Sequence, residues 1–312
     1  MPVPQFSAET SDTGAFVRQA SAFRARVSAD GAEGTVPAEA GRYHLYVSLA
    51  CPWAHRTMIV RRLKGLEDAI GLTVVDPVRD ERGWRFGDDF PDPLHGWSYL
   101  SEAYDASPED FTGRITVPVL WDTQEGRIVN NESSDIVVDL ATAFDAVATN
   151  PGVDLWPDAV RAEGDELNQR IYDTVNNGVY QSGFATTQEA YEAAVRPLFQ
   201  TLSELDARLG TQRFLLGTAQ PTLADWRLFT TLVRFDAVYY VHFKCNVRLI
   251  AQFEHLSGYL RDLFQQPGVA ETVDFDQIKR HYYVTHTGIN PYAIVPIGPQ
   301  QDLLAPHGRD AP

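Results

Sequence analysis

The run Cys51-Pro52-Trp53-Ala54 holds one of only two cysteines in the 312-residue chain, the other being Cys245. It follows an alternating apolar stretch and precedes an amphipathic one. A cysteine at such a junction of strand and helix start meets the positive end of the helix dipole and the free amides of the first turn. Both favour a thiolate, the nucleophilic form of sulfur. Ala54 occupies the place where a dithiol Cys-x-x-Cys has its second cysteine, so the site is monothiol. It cannot close its own disulfide, and turnover through Cys51 requires an outside thiol to resolve it. The competing reading is a buried, inert cysteine beside a helix that begins with proline.

Two further features accompany it. Thr116-Val117-Pro118 opens a strand, where a trans proline forfeits a ladder hydrogen bond. A cis Val117–Pro118 bond would instead turn the chain and present the backbone of Val117 to a peptide-like ligand. Glu132-Ser133 opens a helix, where free amides and a hydroxyl can hold a carboxylate; ordinary capping accounts for this pair equally well. Together they offer a nucleophile, a peptide-binding turn and an anion site. Zinc is not expected, because Cys51/His55 and His242/Cys245 lack two further ligands at suitable spacing. Cys245, in an aromatic segment, reads as core.

The elements that must position these residues are set by periodicity. Tyr43 to Leu49 reads as a strand, Trp53 to Leu63 as a helix begun by Pro52, and Leu72 to Asp76 as a second strand. A long polar and aromatic loop runs from Arg79 to Phe111, and loops of that length are often functional. Ile115 to Asp122 and Arg127 to Asn130 read as two strands, and Glu132 to Phe144 as a helix. From Leu155 the spacing is helical: 159–177, 188–209, 223–235 and 249–264, with a capping box at Thr222-Leu223-Ala224-Asp225. The expected division is an N-terminal extension over the surface (1–41), an α/β domain (42–150), an all-helical domain (151–285) and an irregular tail (286–312).

Composition narrows the partners. Lys plus Arg total 26 against 42 Asp plus Glu, a formal charge of −16. That balance argues against nucleic acid and anionic membranes, which need clustered cations. No apolar run reaches the length of a membrane span, no signal pattern opens the chain, and two distant cysteines fit a reducing cytoplasm better than a disulfide scaffold.

An α/β half with this site, followed by a helical half, resembles a glutathione transferase, thioredoxin-like then all-α. The longer blocks resemble one class more closely. Cys51-Pro52-Trp53-Ala54-His55-Arg56, Gly83-Trp84-Arg85-Phe86, Thr116-Val117-Pro118-Val119, Asn131-Glu132-Ser133, Asn176-Asn177-Gly178-Val179-Tyr180, Gly183-Phe184-Ala185, Asp225-Trp226-Arg227-Leu228-Phe229, His242-Phe243-Lys244-Cys245-Asn246, His281-Tyr282-Tyr283 and Ile289-Asn290-Pro291 are similar to the glutathionyl-hydroquinone reductases, the xi class. The likeness runs from about Tyr43 to the end, without departure at the motif positions.

That resemblance implies reduction of glutathionyl-hydroquinones with glutathione as co-substrate and no metal. Cys51 would attack the glutathionyl sulfur and form a mixed disulfide, the hydroquinone would leave, and a second glutathione would release glutathione disulfide. It further implies that Tyr180, Tyr239 and Tyr282 line the aromatic pocket, the choice between Tyr282 and Tyr283 remaining open. Trp84 would stack near the tripeptide, the Val117 backbone would meet its cysteinyl unit, Glu132 its γ-glutamyl ammonium and Ser133 its carboxylate. A cationic patch must offset the overall charge for anionic glutathione, with Arg79, Arg82 and Arg85 as candidates. Members pair as homodimers through the helical domain. Two alternatives use the same residues: a general, omega-like thiol transferase that needs Cys51 but not the tyrosines, and a non-catalytic binder of aromatic ligands.

Overall fold

The computed structural model of the chain describes residues 9–107 and 111–309. The first eight residues of the expected extension, three residues of the long loop and the last three of the tail lie outside the described residues. In chain order the elements are β1 (Arg26–Ser28), β2 (Thr35–Pro37), β3 (Tyr43–Val47), α1 (Pro52–Leu63), β4 (Ile70–Val74), α2 (Ser101–Ala106), β5 (Val119–Asp122), β6 (Arg127–Asn130) and α3 (Ser133–Thr142). The remaining helices are α4 (Arg161–Ile171), α5 (Gly178–Phe184), α6 (Gln188–Leu209), α7 (Leu223–Arg234), α8 (Leu256–Phe264) and α9 (Phe275–Thr285). The elements form two compact units. One comprises Gln19–Asp154 and Thr272–Thr285; the other comprises residues 9–18, Leu155–Glu271 and residues 286–309.

The first unit is built on a four-stranded sheet of order β4-β3-β5-β6, with β3 parallel to β4 and antiparallel to β5, and β5 antiparallel to β6. All five residues of β3 are buried, as a central strand covered on both faces requires. The parallel pairing needs a crossover, and α1 supplies it, packed against α3. This is the expected α/β half, with α2 added inside the long loop. That loop is fastened by Asp92, whose carboxylate accepts from the Tyr46 hydroxyl and from the amides of His95 and Trp97.

Two segments depart from the sequence reading. Residues 19–41 do not simply run over the surface. The Ala25 amide donates to the Val129 carbonyl and the Asn131 amide to the Phe23 carbonyl, so the segment lies along β6 and continues into the β1–β2 pair. Phe23 and Val27 are buried, and Arg26 forms an ion pair with Asp139 on α3. The physical reason is the otherwise open edge of β6, which alternating Phe23, Ala25 and Val27 cover. The second departure is α9, which belongs to the sheet's unit and not to the helical one. His55 Nε2 lies 2.7 Å from Thr272 Oγ1, and His281 Nδ1 donates to the Pro77 carbonyl at 2.7 Å.

The second unit is helical, as expected, but two of its helices are continuous only through π-helical turns. Tyr172–Asn176 joins α4 to α5, and Phe235–Tyr239 extends α7. The capping box at α7 forms: the Thr222 amide donates to Asp225 at 2.7 Å, and that buried carboxylate also accepts from the Leu215 amide and the Tyr259 hydroxyl. Among the described residues no helix is long and apolar enough to cross a membrane.

His44 makes stability depend on pH. It faces Thr73 with its Nε2 2.7 Å from the hydroxyl, and burial pushes the imidazole down from 6.5 to about 4. The unfolded chain therefore binds a proton that the fold rejects between those values. The stability contributed by the neutral buried ring is complete above about 6.5 and is lost as pH falls toward 4. Urea midpoints measured downward across that window fall, and fall less steeply in His44→Gln; an unaltered slope in the variant contradicts this assignment.

Candidate active site

Cys51 is the N-cap of α1. Strand β3 ends at Val47, the Cys51 amide donates to the Ser48 carbonyl, and φ −80°, ψ 120° hold the residue extended before the helix begins at Pro52. Pro52 fits because the first helical position has no intrahelical use for its N–H. The first turn of α1 carries no acidic side chain, so nothing on the helix itself offsets its positive end beside the sulfur. The Val117–Pro118 bond is cis, and the Cys51 thiol lies 3.6 Å from the Val117 carbonyl. Cys51 and the Val117–Pro118 turn, both singled out in the sequence, are thus adjacent in the fold. Cys51 is half-buried, whereas Cys245 is fully buried and desolvation pushes its thiol up to about 12.

Glu132 is the N-cap of α3. One carboxylate oxygen accepts from the Ser134 amide at 3.0 Å and its hydroxyl at 2.9 Å, the other from the Ser21 hydroxyl at 2.9 Å. It therefore does the work of an ordinary helix cap. Each carboxylate oxygen has two lone pairs, so the capping role leaves room to receive an ammonium. Ser133, the first residue of α3, is buried.

Trp84 is also buried. Its ring stacks on His281 with centroids 5.0 Å apart, and the Arg79 guanidinium lies 5.0 Å from its centroid. Of the other two arginines expected in a cationic patch, Arg85 is paired with Asp76 at 2.7 Å, and Arg82 contacts Tyr99 and Asp80. Those two charges are offset by local carboxylates, and Arg79 is the one of the three that stacks on Trp84. Tyr282 sits on α9, buried and edge-on to His281 at 5.2 Å; its neighbour Tyr283 is buried as well. Cys51, Val117, Trp84, Glu132, Ser133 and Tyr282 all belong to the sheet's unit.

Tyr180 and Tyr239 belong to the helical unit and meet there. Their ring centroids are 6.0 Å apart, and Phe243 stacks on Tyr239 at 5.5 Å while lying 5.3 Å from Tyr180. The π-helical turns place them. Each takes an extra residue into one turn, so the next stretch of helix is rotated from the direction a regular helix would give it. Tyr239 ends one such turn, and Tyr180 comes four residues after the other. Asn176 fixes the first by donating to the Thr231 hydroxyl and the Arg227 carbonyl of α7. Gly183 is required beside the cluster, because a Cβ there would stand 2.2 Å from the Phe243 ring. A helical period of 3.6 does not reveal these turns, and no spacing signal in the sequence marks His286, whose ring lies 6.0 Å from Phe243. Among the described residues no three His, Cys, Asp or Glu side chains gather as a metal site.

Comparison with known proteins decides the family. The glutathione S-transferase N-terminal domain model matches residues 50–143 and its C-terminal domain model residues 188–262. The chain belongs to the xi-class glutathione transferases. It is 53% identical to glutathionyl-hydroquinone reductase YqjG of Escherichia coli, over 97% of this chain and 94% of that one. It is 50% identical to glutathionyl-hydroquinone reductase PcpF of Sphingobium chlorophenolicum, over 94% and 92%. The crystal structure of the xi glutathione transferase from Phanerochaete chrysosporium superposes with a TM-score of 0.90 at 50% identity, covering 95% of this chain and 96% of that one. The glutathione-bound structure of YqjG gives 0.88, over 93% and 96%.

The contrast between the two thiols is directly measurable. An aromatic disulfide reagent titrates one thiol per native chain and two in denaturant, and none in native Cys51→Ser. Reaction of Cys245 in the native protein contradicts the burial described.

Proposed function

We propose that this glutathionyl-hydroquinone reductase works through Cys51, in two half-reactions that share a mixed disulfide. The observation that carries the reading is the cysteine at the N-cap of α1, beside the Val117 carbonyl, with Ala54 where a resolving thiol would stand. In the first half-reaction the Cys51 thiolate attacks the sulfur of the substrate's thioether. The new S–S bond forms as the C–S bond breaks, and its electron pair stays with the ring carbon. That carbon takes a proton and the hydroquinone leaves. The carbon is reduced by two electrons and the sulfur pair is oxidised to a disulfide. In the second, the thiolate of another glutathione attacks the glutathionyl sulfur of the mixed disulfide, forming glutathione disulfide and returning Cys51 as thiolate. The net change is one glutathionyl-hydroquinone plus one glutathione to one hydroquinone plus one glutathione disulfide.

The carbon leaving group sets what else the protein must supply. A ring that accepts a proton at carbon passes through a keto form, and hydroxyl groups that hold its oxygens or deliver the proton lower that barrier. We assign this work to Tyr180, Tyr239 and Tyr282. Their burial and, for the first two, their mutual contact support the role. For the tripeptide, the Val117 backbone would bind the cysteinyl unit, Glu132 the γ-glutamyl ammonium and Ser133 its carboxylate, with Trp84 stacking nearby. Arg79 would supply the positive charge that an anionic co-substrate needs on a chain of net charge −16. Tyr180 and Tyr239 lie in the helical unit, whereas Tyr282 and the residues assigned to glutathione lie in the sheet's unit. Homodimer assembly through the helical domain and a cytoplasmic setting for the free thiols complete the reading.

Steady-state kinetics with a glutathionyl-hydroquinone test it. Cys51→Ala abolishes turnover. Tyr180→Phe and Tyr239→Phe lower kcat by roughly ten- to a hundred-fold, yet leave glutathione-dependent reduction of a small glutathionyl disulfide intact. Tyrosine variants that change neither reaction overturn the tyrosine roles and favour a general thiol transferase. Turnover that survives Cys51→Ala overturns the reading altogether.

A further inference from the structure

The segment 9–18 folds back on itself and onto the helix that carries Tyr180, all within the helical unit. Thr10 bridges Phe16, the Ser11 amide donates to the Ala15 carbonyl, and Gly14 closes the turn at φ +81°. The turn is fastened at the start of α6: the Thr186 amide donates to the Gly14 carbonyl at 3.0 Å and the Thr187 hydroxyl to the Thr13 carbonyl at 3.0 Å. A Cβ on Gly14 would stand 2.7 Å from both threonine side chains, so this approach is specific to glycine. Phe16 lies 5.4 Å from Phe184 at the end of α5. At the end of the segment, Arg18 places its guanidinium 5.0 Å from the centroid of the Tyr180 ring and donates from Nε to the Asn177 side-chain oxygen at 3.0 Å. Asn177 is the residue on which the π-helical turn gives way to α5.

We propose that Arg18 is a positioning residue for Tyr180 in the half-reaction that consumes the glutathionyl-hydroquinone. The inference rests on the role given to Tyr180 above. Arg18 holds that ring from its face while the Asn177 contact ties the same guanidinium to the first turn of α5, so ring and helix start are fixed to one another. A cation on a ring face also favours electron density moving onto the phenol oxygen as its proton is shared with substrate. The second half-reaction, thiol against disulfide at Cys51, makes no use of Tyr180 and is indifferent to Arg18.

The two half-reactions separate this role from a structural one. In the full-length protein, Arg18→Ala slows glutathionylation of Cys51 by a glutathionyl-hydroquinone about ten-fold, read by mass spectrometry of quenched single turnovers. It leaves unchanged the rate at which glutathione reduces preformed Cys51–glutathione disulfide. Arg18→Lys, which keeps the cation but not the planar fork, recovers part of the loss. In a Tyr180→Phe background Arg18→Ala adds little, because the two act through one group. Equal slowing of both half-reactions, or losses that multiply in the double variant, overturns the proposal. A Tyr180→Phe defect alongside a silent Arg18→Ala overturns this inference alone. A silent Tyr180→Phe overturns the Tyr180 role and this inference with it.

Discussion

Everything in the sheet's unit depends on where β3 stops and α1 starts. The parallel β3–β4 pair forces a crossover, the crossover helix begins at a proline, and the residue before it stands at the positive end of that helix. A cysteine occupies that position. Placing alanine three residues on denies it an internal partner. The antiparallel β5 then returns the chain so that the Val117 carbonyl lies beside the sulfur. Burial of His55 and its contact with Thr272 anchor the helix, so the sulfur's position is set by packing and not by the side chain alone.

The helical unit solves a different problem, that of holding phenol groups in an apolar setting. Tyr180, Tyr239 and Phe243 form one aromatic cluster, and aromatic contacts of this kind fix ring orientation as well as burying area. Two π-helical turns aim the tyrosines, and such turns recur where a helix must present a side chain for function. Gly183 lets Phe243 approach, and Asn176 holds one of the turns against α7. The phenol groups of Tyr180 and Tyr239 are thus fixed by packing within the helical unit.

Much of this was legible in the sequence because it is local. The Cys51-Pro52 junction, the cis Val117–Pro118 turn and the box at Thr222 each depend on a few consecutive residues, and each is in place in the structure. What the sequence did not disclose depends on distant pairing. Residues 19–41 carry weak periodicity, yet they cover the β6 edge through backbone bonds that composition does not report. Spacing alone marks no helix over α9 and puts its residues in the helical block, whereas contacts of His281 and Thr272 draw it to the sheet's unit. Arg82 and Arg85 read as a cationic patch in sequence, but Asp80 and Asp76 stand beside them in the fold. Arg18 lies in a segment with no motif to mark it, yet it meets Tyr180 and, 159 positions along the chain, Asn177.

The central claim is that the glutathionyl group passes through Cys51 and that the chain needs a second glutathione to be set free. One measurement tests it most directly. The protein, freed of small thiols, is mixed with one equivalent of a glutathionyl-hydroquinone; its intact mass and the released product are then analysed before and after glutathione is added. The account predicts one glutathione adduct per chain, mapped to Cys51, with one equivalent of hydroquinone released, and a return to the unmodified mass with glutathione disulfide formed on addition. Hydroquinone released from a chain that carries no adduct at Cys51 would contradict it.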